Sequence, residues 1–207
     1  EAHYCKHIET QVDCSDFNFE NVYANQYPVN INTITHLSFK YCLINYLQSG
    51  VFDKLLDLLE LNLCHNNISS LPYDIFRMQS KLVHLDLSYN NIKVLHYSLF
   101  KKLIKLKFLI LERNKINSLS DKDIFLHQKN LVTLRLSSNN LITLKEDVLK
   151  PLTSIKELDI NDNCFNCDCN IRMLQLWCEN RNIGIQATCK YMNTTISWST
   201  IPPDTCF

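Results

Sequence analysis

The sequence predicts an α/β solenoid: short parallel strands stacked into one concave sheet, with a disulfide-bonded cap at each end. Three observations predict it. A motif with apolar residues at i, i+3, i+5 and i+10, and Asn or Cys at i+8, recurs along the chain. Its starts step by 24, 24, 24, 25 and 24 residues. Eight of the chain's 10 cysteines lie outside these recurrences, two before the first and six after the last asparagine of the series.

The units follow in order. Ile34, Leu37, Phe39, Cys42 and Ile44 open the series, and Leu58, Leu61, Leu63, Asn66 and Ile68 repeat it. Leu82, Leu85, Leu87, Asn90 and Ile92 come next, then Leu106, Leu109, Leu111, Asn114 and Ile116. Leu131, Leu134, Leu136, Asn139 and Leu141 continue, and Ile155, Leu158, Ile160 and Asn163 close the run. A second apolar column runs Phe52, Phe76, Phe100 and Phe125 and lapses to Leu149; the extra residue of the 25-residue step falls between Leu119 and Phe125. One such unit cannot bury its leucines alone, whereas stacked units share a continuous core and pair their strands. The asparagine column stands where the chain turns inward, so its amide is placed to bond backbone groups that the bend leaves unpaired. Cys42 holds that column in the first unit as a buried structural thiol. The pattern resembles that of leucine-rich repeats, and it covers residues 34–163.

A stack has two open ends that need covers. Residues 1–33 form the expected amino-terminal cap, with Cys5 and Cys14 bridged across a short loop and Phe17-Asn18-Phe19-Glu20 alternating apolar and polar. Residues 164–207 form the expected carboxy-terminal cap, where Ile171, Leu174 and Trp177 follow helical spacing. Within it Cys164, Cys167 and Cys169 are crowded together, and Cys178, Cys189 and Cys206 follow. Zinc would need a second pair of ligands, and His127, the nearest upstream histidine, falls inside the solenoid with no histidine after it. Cys167-Asp168-Cys169 has one residue between its thiols, not the two of a redox dithiol.

In each strand the leucines point inward and the intervening residues point outward onto the sheet face. The outward columns read His36, Glu60, His84, Phe108, Thr133, Glu157, then Ser38, Asn62, Asp86, Ile110, Arg135, Asp159. Beside them run Lys40, Cys64, Ser88, Glu112, Ser137, Asn161 and Tyr41, His65, Tyr89, Arg113, Ser138, Asp162. Phe108 and Ile110 make an apolar spot in a mostly polar face, with Tyr89 and Arg113 beside it and His84 and Asp86 on the preceding strand. Aromatic and arginine residues around an apolar centre are the usual composition of a protein-binding hot spot. Those six residues are the candidate partner site.

Composition narrows the function. Lys and Arg number 21 and Asp and Glu 21, so no overall basic field gathers nucleic acid. No apolar run approaches the ~18 residues of a membrane span. Catalysis is not expected: His36 and His84 are two strands apart, roughly 10 Å, too far for one metal or one proton. Cys64-His65 sits on an open face with nothing to exclude water. Cys64 is expected as a surface thiol, available for a bond to another chain. No cofactor is implied. The cysteine count fits an oxidising compartment, and the sequons at Asn67 and Asn193 fit glycosylation in a secreted protein.

Repeats and carboxy-terminal cap together resemble extracellular leucine-rich repeat proteins over about residues 34–207. The start, HYCKHIETQVDC, is similar to that of insect leucine-rich immune proteins and, less closely, to Toll ectodomains. The resemblance implies cap disulfides Cys167–Cys189 and Cys169–Cys206. It also makes Cys164 and Cys178 unusual, since related caps have Pro and an aliphatic residue there. Cys178 shares the helix face of Ile171 and Leu174, and a third bridge, Cys164–Cys178, is expected. The whole implies a secreted, non-enzymatic recognition module that binds a protein through its concave face in arthropod innate immunity. A salivary effector aimed at host proteins and a receptor ectodomain are the alternatives.

Overall fold

The structure, a computed structural model, describes residues 5–23 and 33–202. Strands β1 (Lys6–Ile8) and β2 (Gln11–Asp13) form a hairpin, followed by β3 (Asn21–Val22), β4 (His36–Ser38) and β5 (Tyr46–Leu47). Then come β6 (Glu60–Asn62), β7 (His84–Asp86), β8 (Phe108–Ile110) and β9 (Thr133–Arg135). Helix α1 (Glu146–Leu149), strand β10 (Glu157–Asp159), helix α2 (Cys169–Glu179) and the hairpin β11 (Thr188–Tyr191)–β12 (Thr194–Ser197) complete the order.

The main sheet runs β1-β2-β4-β6-β7-β8-β9-β10, and every pair from β2 onward is parallel and in register. Leu37, Leu61, Leu85, Leu109, Leu134 and Leu158 therefore stack in one column. Each strand is three residues long because only its central leucine is needed in the core. The next leucine, two residues on, continues the coil-to-coil hydrogen bonding: Leu63 N–H donates to Asp86 O (2.8 Å), Leu87 N–H to Ile110 O (2.9 Å) and Leu111 N–H to Arg135 O (2.8 Å). The sheet starts earlier than the repeat pattern does. Val12 stands in register with Leu37 and is buried, so the amino-terminal cap supplies a coil of its own.

The opposite side of the solenoid is built from turns, with one short helix, α1. Its phenylalanine column is fully buried and stacks in pairs: Phe52 on Phe76 at 6.2 Å and Phe100 on Phe125 at 6.1 Å. Buried glutamines tie these coils together. Gln79 Nε2 donates to Phe52 O and Gln128 Nε2 to Phe100 O, each at 2.6 Å.

The asparagine column does what its position predicts. Asn90 Oδ1 accepts Ile68 N–H (3.0 Å), while Nδ2 donates to Leu63 O (2.9 Å), Leu87 O (3.1 Å) and Ser88 O (3.1 Å). Asn66, Asn114, Asn139 and Asn163 repeat the arrangement. In the first unit the Cys42 thiol takes over part of this role, donating to Cys14 O at 2.9 Å.

Both ends carry disulfides, Cys5–Cys14 and Cys167–Cys189. Cys169 is also disulfide-bonded; Cys206, its expected partner, lies outside the described residues. In α2 the Asp168 side chain accepts Ile171 N–H as an N-cap, and Ile171, Leu174, Trp177 and Cys178 are buried against the last coil.

Two cysteine expectations are corrected. Cys164 and Cys178 are free thiols, the first exposed and the second buried. Cys178 lies near the far end of α2, roughly 13 Å along the axis from Cys169, whereas Cys164 leaves the last repeat ahead of the helix start, with its side chain in solvent. Cys64 is not a surface thiol: it is only 4% exposed. The Asn62 side chain accepts Cys64 N–H (2.9 Å), and the chain turns inward there, so the thiol is covered and has no access to another chain.

Candidate functional site

A structural rule operates in the outward column that ends each strand. Asp13, Asn62, Asp86 and Asp159 each use Oδ1 to accept the N–H two residues on, at Ser15 (3.0 Å), Cys64 (2.9 Å), Ser88 (2.9 Å) and Asn161 (3.2 Å). This local bond satisfies a donor just where the strand gives way to the turn. Asp86 also accepts the Ser88 hydroxyl at 2.6 Å. The residue named from sequence as a binding candidate thus has a structural task as well.

Ser38, Ile110 and Arg135 hold the same column and do not make this bond; the Ser38 hydroxyl pairs with that of Ser15 at 2.8 Å instead. Arg135 is paired across the sheet with Glu157, and Ile110 has no polar role in the column. Ile110 and Arg135 are adjacent, on β8 and β9, and they flank the position where the face turns apolar. Phe108 is 38% exposed, with its ring 5.7 Å from His84. Together His84, Asp86, Phe108, Ile110, Arg135 and Glu157 line an open depression of about 350 Å³. Its far wall is fixed by charge pairing: Arg135 bonds Glu157 at 2.8 Å, and buried Thr133 donates to the same carboxylate at 3.2 Å.

Tyr89 and Arg113 do not line that depression. They stand on its rim, directly after the lining residues Ser88 and Glu112. There they belong to a larger arrangement. His65 stacks between Tyr41 (4.3 Å) and Tyr89 (4.0 Å), Lys40 lies 5.0 Å over Tyr41, and Arg113 lies 5.2 Å over Tyr89. The result is a three-ring rail with a cation at each end. All six residues of this column, from Tyr41 to Asp162, have φ between 52° and 57°. Left-handed backbone is unfavourable for such side chains, and here it accompanies the inward turn of the following residue, Cys42 in the first repeat and asparagine in the others. Burial, followed by nearby Lys40, lowers the His65 pKa, and Asp86 opposes the shift.

The amino-terminal half of the face differs. His36, Glu60, Asn62, His84, Asp86 and Asp13, with Val12, Leu37 and Leu61 between them, line a basin of about 300 Å³. His36 Nε2 lies 3.6 Å from Glu60. The Ser15 hydroxyl, above all, holds the Asp13 carboxyl below its ordinary range. The thiols offer no nucleophile on this face: burial pushes Cys42 and Cys64 up to about 11, and Cys178 up to about 12. Among the described residues no group of His, Cys, Asp or Glu is arranged to hold a metal, and no helix is long and apolar enough to cross a membrane. Asn67 and Asn193 are both exposed.

Sequence reasoning placed Phe108, Ile110, His84 and Asp86 together but missed Arg135, Glu157, Tyr41 and His65. A signal for Arg135 was present: it breaks the Asp/Asn habit of its column, as Ser38 and Ile110 also do. The rail had no such signal, because ring stacking depends on side-chain orientation.

Comparison with known proteins agrees with this architecture. The leucine-rich repeat family pattern matches residues 32–92, 80–125 and 109–165, most of the chain. No curated protein matches it in sequence. Among solved structures, the insect APL1 leucine-rich repeat domain superposes with TM-score 0.65 at 21% identity, over 73% of this chain and 39% of that one. TLR13, in its complex with ssRNA13, gives TM-score 0.66 at 25% identity over 79% and 26% of the two chains. The LRIM1/APL1C complex gives 0.64 at 20% identity over 73% and 27%. The chain thus spans well under half of each of these structures. With coils, register, asparagine column and family pattern all in agreement, the chain belongs to the leucine-rich repeat family.

Proposed function

We propose that this chain is a secreted recognition module that binds a protein partner through the exposed face of its parallel sheet. Phe108 and Ile110 are the anchors, Tyr89 and Arg113 the rim contacts, and His84 and Asp86 the adjoining wall. One observation carries the reading: Ile110 and Arg135 lack a backbone-satisfying bond that four other positions of the column make, and they do so beside an exposed phenylalanine. A preformed sheet face has little to order on association, which favours binding. The disulfides support an oxidising, extracellular setting. Structural likeness to APL1 and LRIM1 domains supports a role in arthropod immunity, and the solenoid face supports binding over catalysis.

Affinity capture from haemolymph with the secreted protein as bait, followed by titration of the captured partner, tests the proposal. Phe108→Ala with Ile110→Ala should weaken binding by ~2 kcal/mol or more. Unchanged affinity in that double variant moves the site off this face.

A further inference from the structure

Although the chain as a whole is neutral, the outward columns of its parallel strands carry more carboxylates than cations, while Asp53, Asp57, Asp74, Glu146 and Asp147 on the connecting segments are paired with cations there. Asp13, Glu60, Asp86, Glu157 and Asp159 stand on the outward columns of the parallel strands. Arg135 is the one cation on those strands, and it is already paired with Glu157. The lysines lie elsewhere: Lys93, Lys101, Lys102, Lys105 and Lys115 are all exposed on connecting segments. The negative field is therefore concentrated over the sheet, on either side of Phe108 and Ile110.

We infer that the occupant of this face is a basic polypeptide segment, one in which Lys or Arg residues flank an apolar side chain. The inference rests on the sheet-face reading above and adds the chemistry of the partner. The apolar side chain would seat against Phe108 and Ile110 in the depression of about 350 Å³. A cation on one side would reach Glu60 and Asp86 in the amino-terminal basin, and a cation on the other would reach Asp159. Charge complementarity selects this occupant: an acidic segment would meet like charge over the whole sheet, and a purely apolar one would leave the carboxylates desolvated without partners. Lys40 and Arg113 bound the face along the rail, limiting the basic segment to the strands.

The fold provides a clean test. Asn62 makes the same local bond as Asp86 and Asp159, so Asp86→Asn and Asp159→Asn remove charge and keep the turn. Combined with Glu60→Gln, they neutralise the face without touching its apolar centre. The probe is a displayed library of random peptides, selected on the intact protein. Selected peptides should be enriched in Lys or Arg beside an aliphatic or aromatic residue. Their affinity should fall at least tenfold on the Glu60→Gln/Asp86→Asn/Asp159→Asn variant and weaken with added salt. Neutral or acidic peptides lost on Phe108→Ala/Ile110→Ala would overturn the inference while leaving the sheet-face reading intact. Peptides indifferent to both variants would overturn both. Absence of any enriched peptide also counts against the inference, since a basic segment is the simplest ligand it names.

Discussion

Replacing Asn90 by alanine should destabilise the protein by about 3–4 kcal/mol, although the residue touches no proposed ligand. The magnitude follows from its bonds. Asn90 is 6% exposed and makes four hydrogen bonds, one accepted from Ile68 and three donated to Leu63, Leu87 and Ser88. The amide's two hydrogens are shared among the three carbonyls, so the set amounts to three full bonds; about 1 kcal/mol each gives about 3, and leaving buried backbone groups unsatisfied raises it toward 4. Water entering the vacated space would re-satisfy part of the set, which holds the loss toward the lower figure. Two of the four bonds reach the preceding coil, so the loss weakens a coil-to-coil interface and not only a local turn. At roughly 2–4 °C per kcal/mol for a chain of this size, the melting temperature should fall by roughly 10 °C. Urea unfolding followed by circular dichroism measures the difference. Asn117→Ala is the control: Asn117 is exposed, and its loss should stay within about 0.5 kcal/mol. If Asn90→Ala lies within 1 kcal/mol of wild type, the asparagine column does not hold the coils together and the argument fails.

Further outcomes follow from the same structure. Of the free thiols, Cys164 should react rapidly with a thiol reagent in the native protein at pH 8. Cys42, Cys64 and Cys178 should react only on unfolding, since they are buried with pKa values raised to about 11, 11 and 12; rapid native labelling of Cys64 contradicts the burial. His65 should titrate below 6.5 in an NMR pH series. Its neutral form is favoured by folding, so its contribution to stability is complete above about pH 6.5 and is lost as pH falls from there toward the folded pKa; a midpoint at or above 6.5 refutes this. Asp13 runs the other way from a lowered carboxyl pKa: its contribution is present above about pH 4 and lost as pH falls through the folded value, so Asp13→Asn should flatten the acid limb of unfolding. The exposed Arg135–Glu157 pair, with side chains 44% and 48% exposed, should add no more than about 0.5 kcal/mol to stability. A double-mutant cycle giving 2 kcal/mol would show that the pair is screened far less than its exposure implies.

Much of the fold was legible because its physics is periodic. A leucine at i+3 and i+5 and an asparagine at i+8 each answer one demand of a coil, and the demand returns every 24 residues or so. The helix in the carboxy-terminal cap was legible for the same reason. The coil around Val12 was not, because Gln11-Val12-Asp13 carries only one apolar residue and has no asparagine after it. The Cys164–Cys178 bridge failed on distance along the helix: shared burial of Cys178 with Leu174 says which way a side chain points and nothing about what lies opposite. Cys64 failed because strand alternation was carried past Asn62, where the side-chain bond to Cys64 N–H already ends the strand.

The same distinction separates structure from function on the sheet face. Asp86 bonds Ser88, so its being polar and outward does not by itself mark it as a binding residue. Ile110 and Arg135 are the stronger indicators, because the fold would be better satisfied by Asp or Asn at both. A repeat protein offers an internal control for this argument: each coil shows what a column requires when only folding acts on it. Ser38 departs from that pattern too but finds a partner in Ser15, whereas Ile110 departs from it beside an exposed aromatic ring and is proposed to serve binding. Restoring the rule therefore separates the two demands. Ile110→Asp should regain the bond to Glu112 N–H and hold or raise stability, while removing one of the two proposed anchors. Loss of partner binding together with an undiminished melting temperature is the expected result. A fall of several degrees with binding retained would show that Ile110 is there for packing after all.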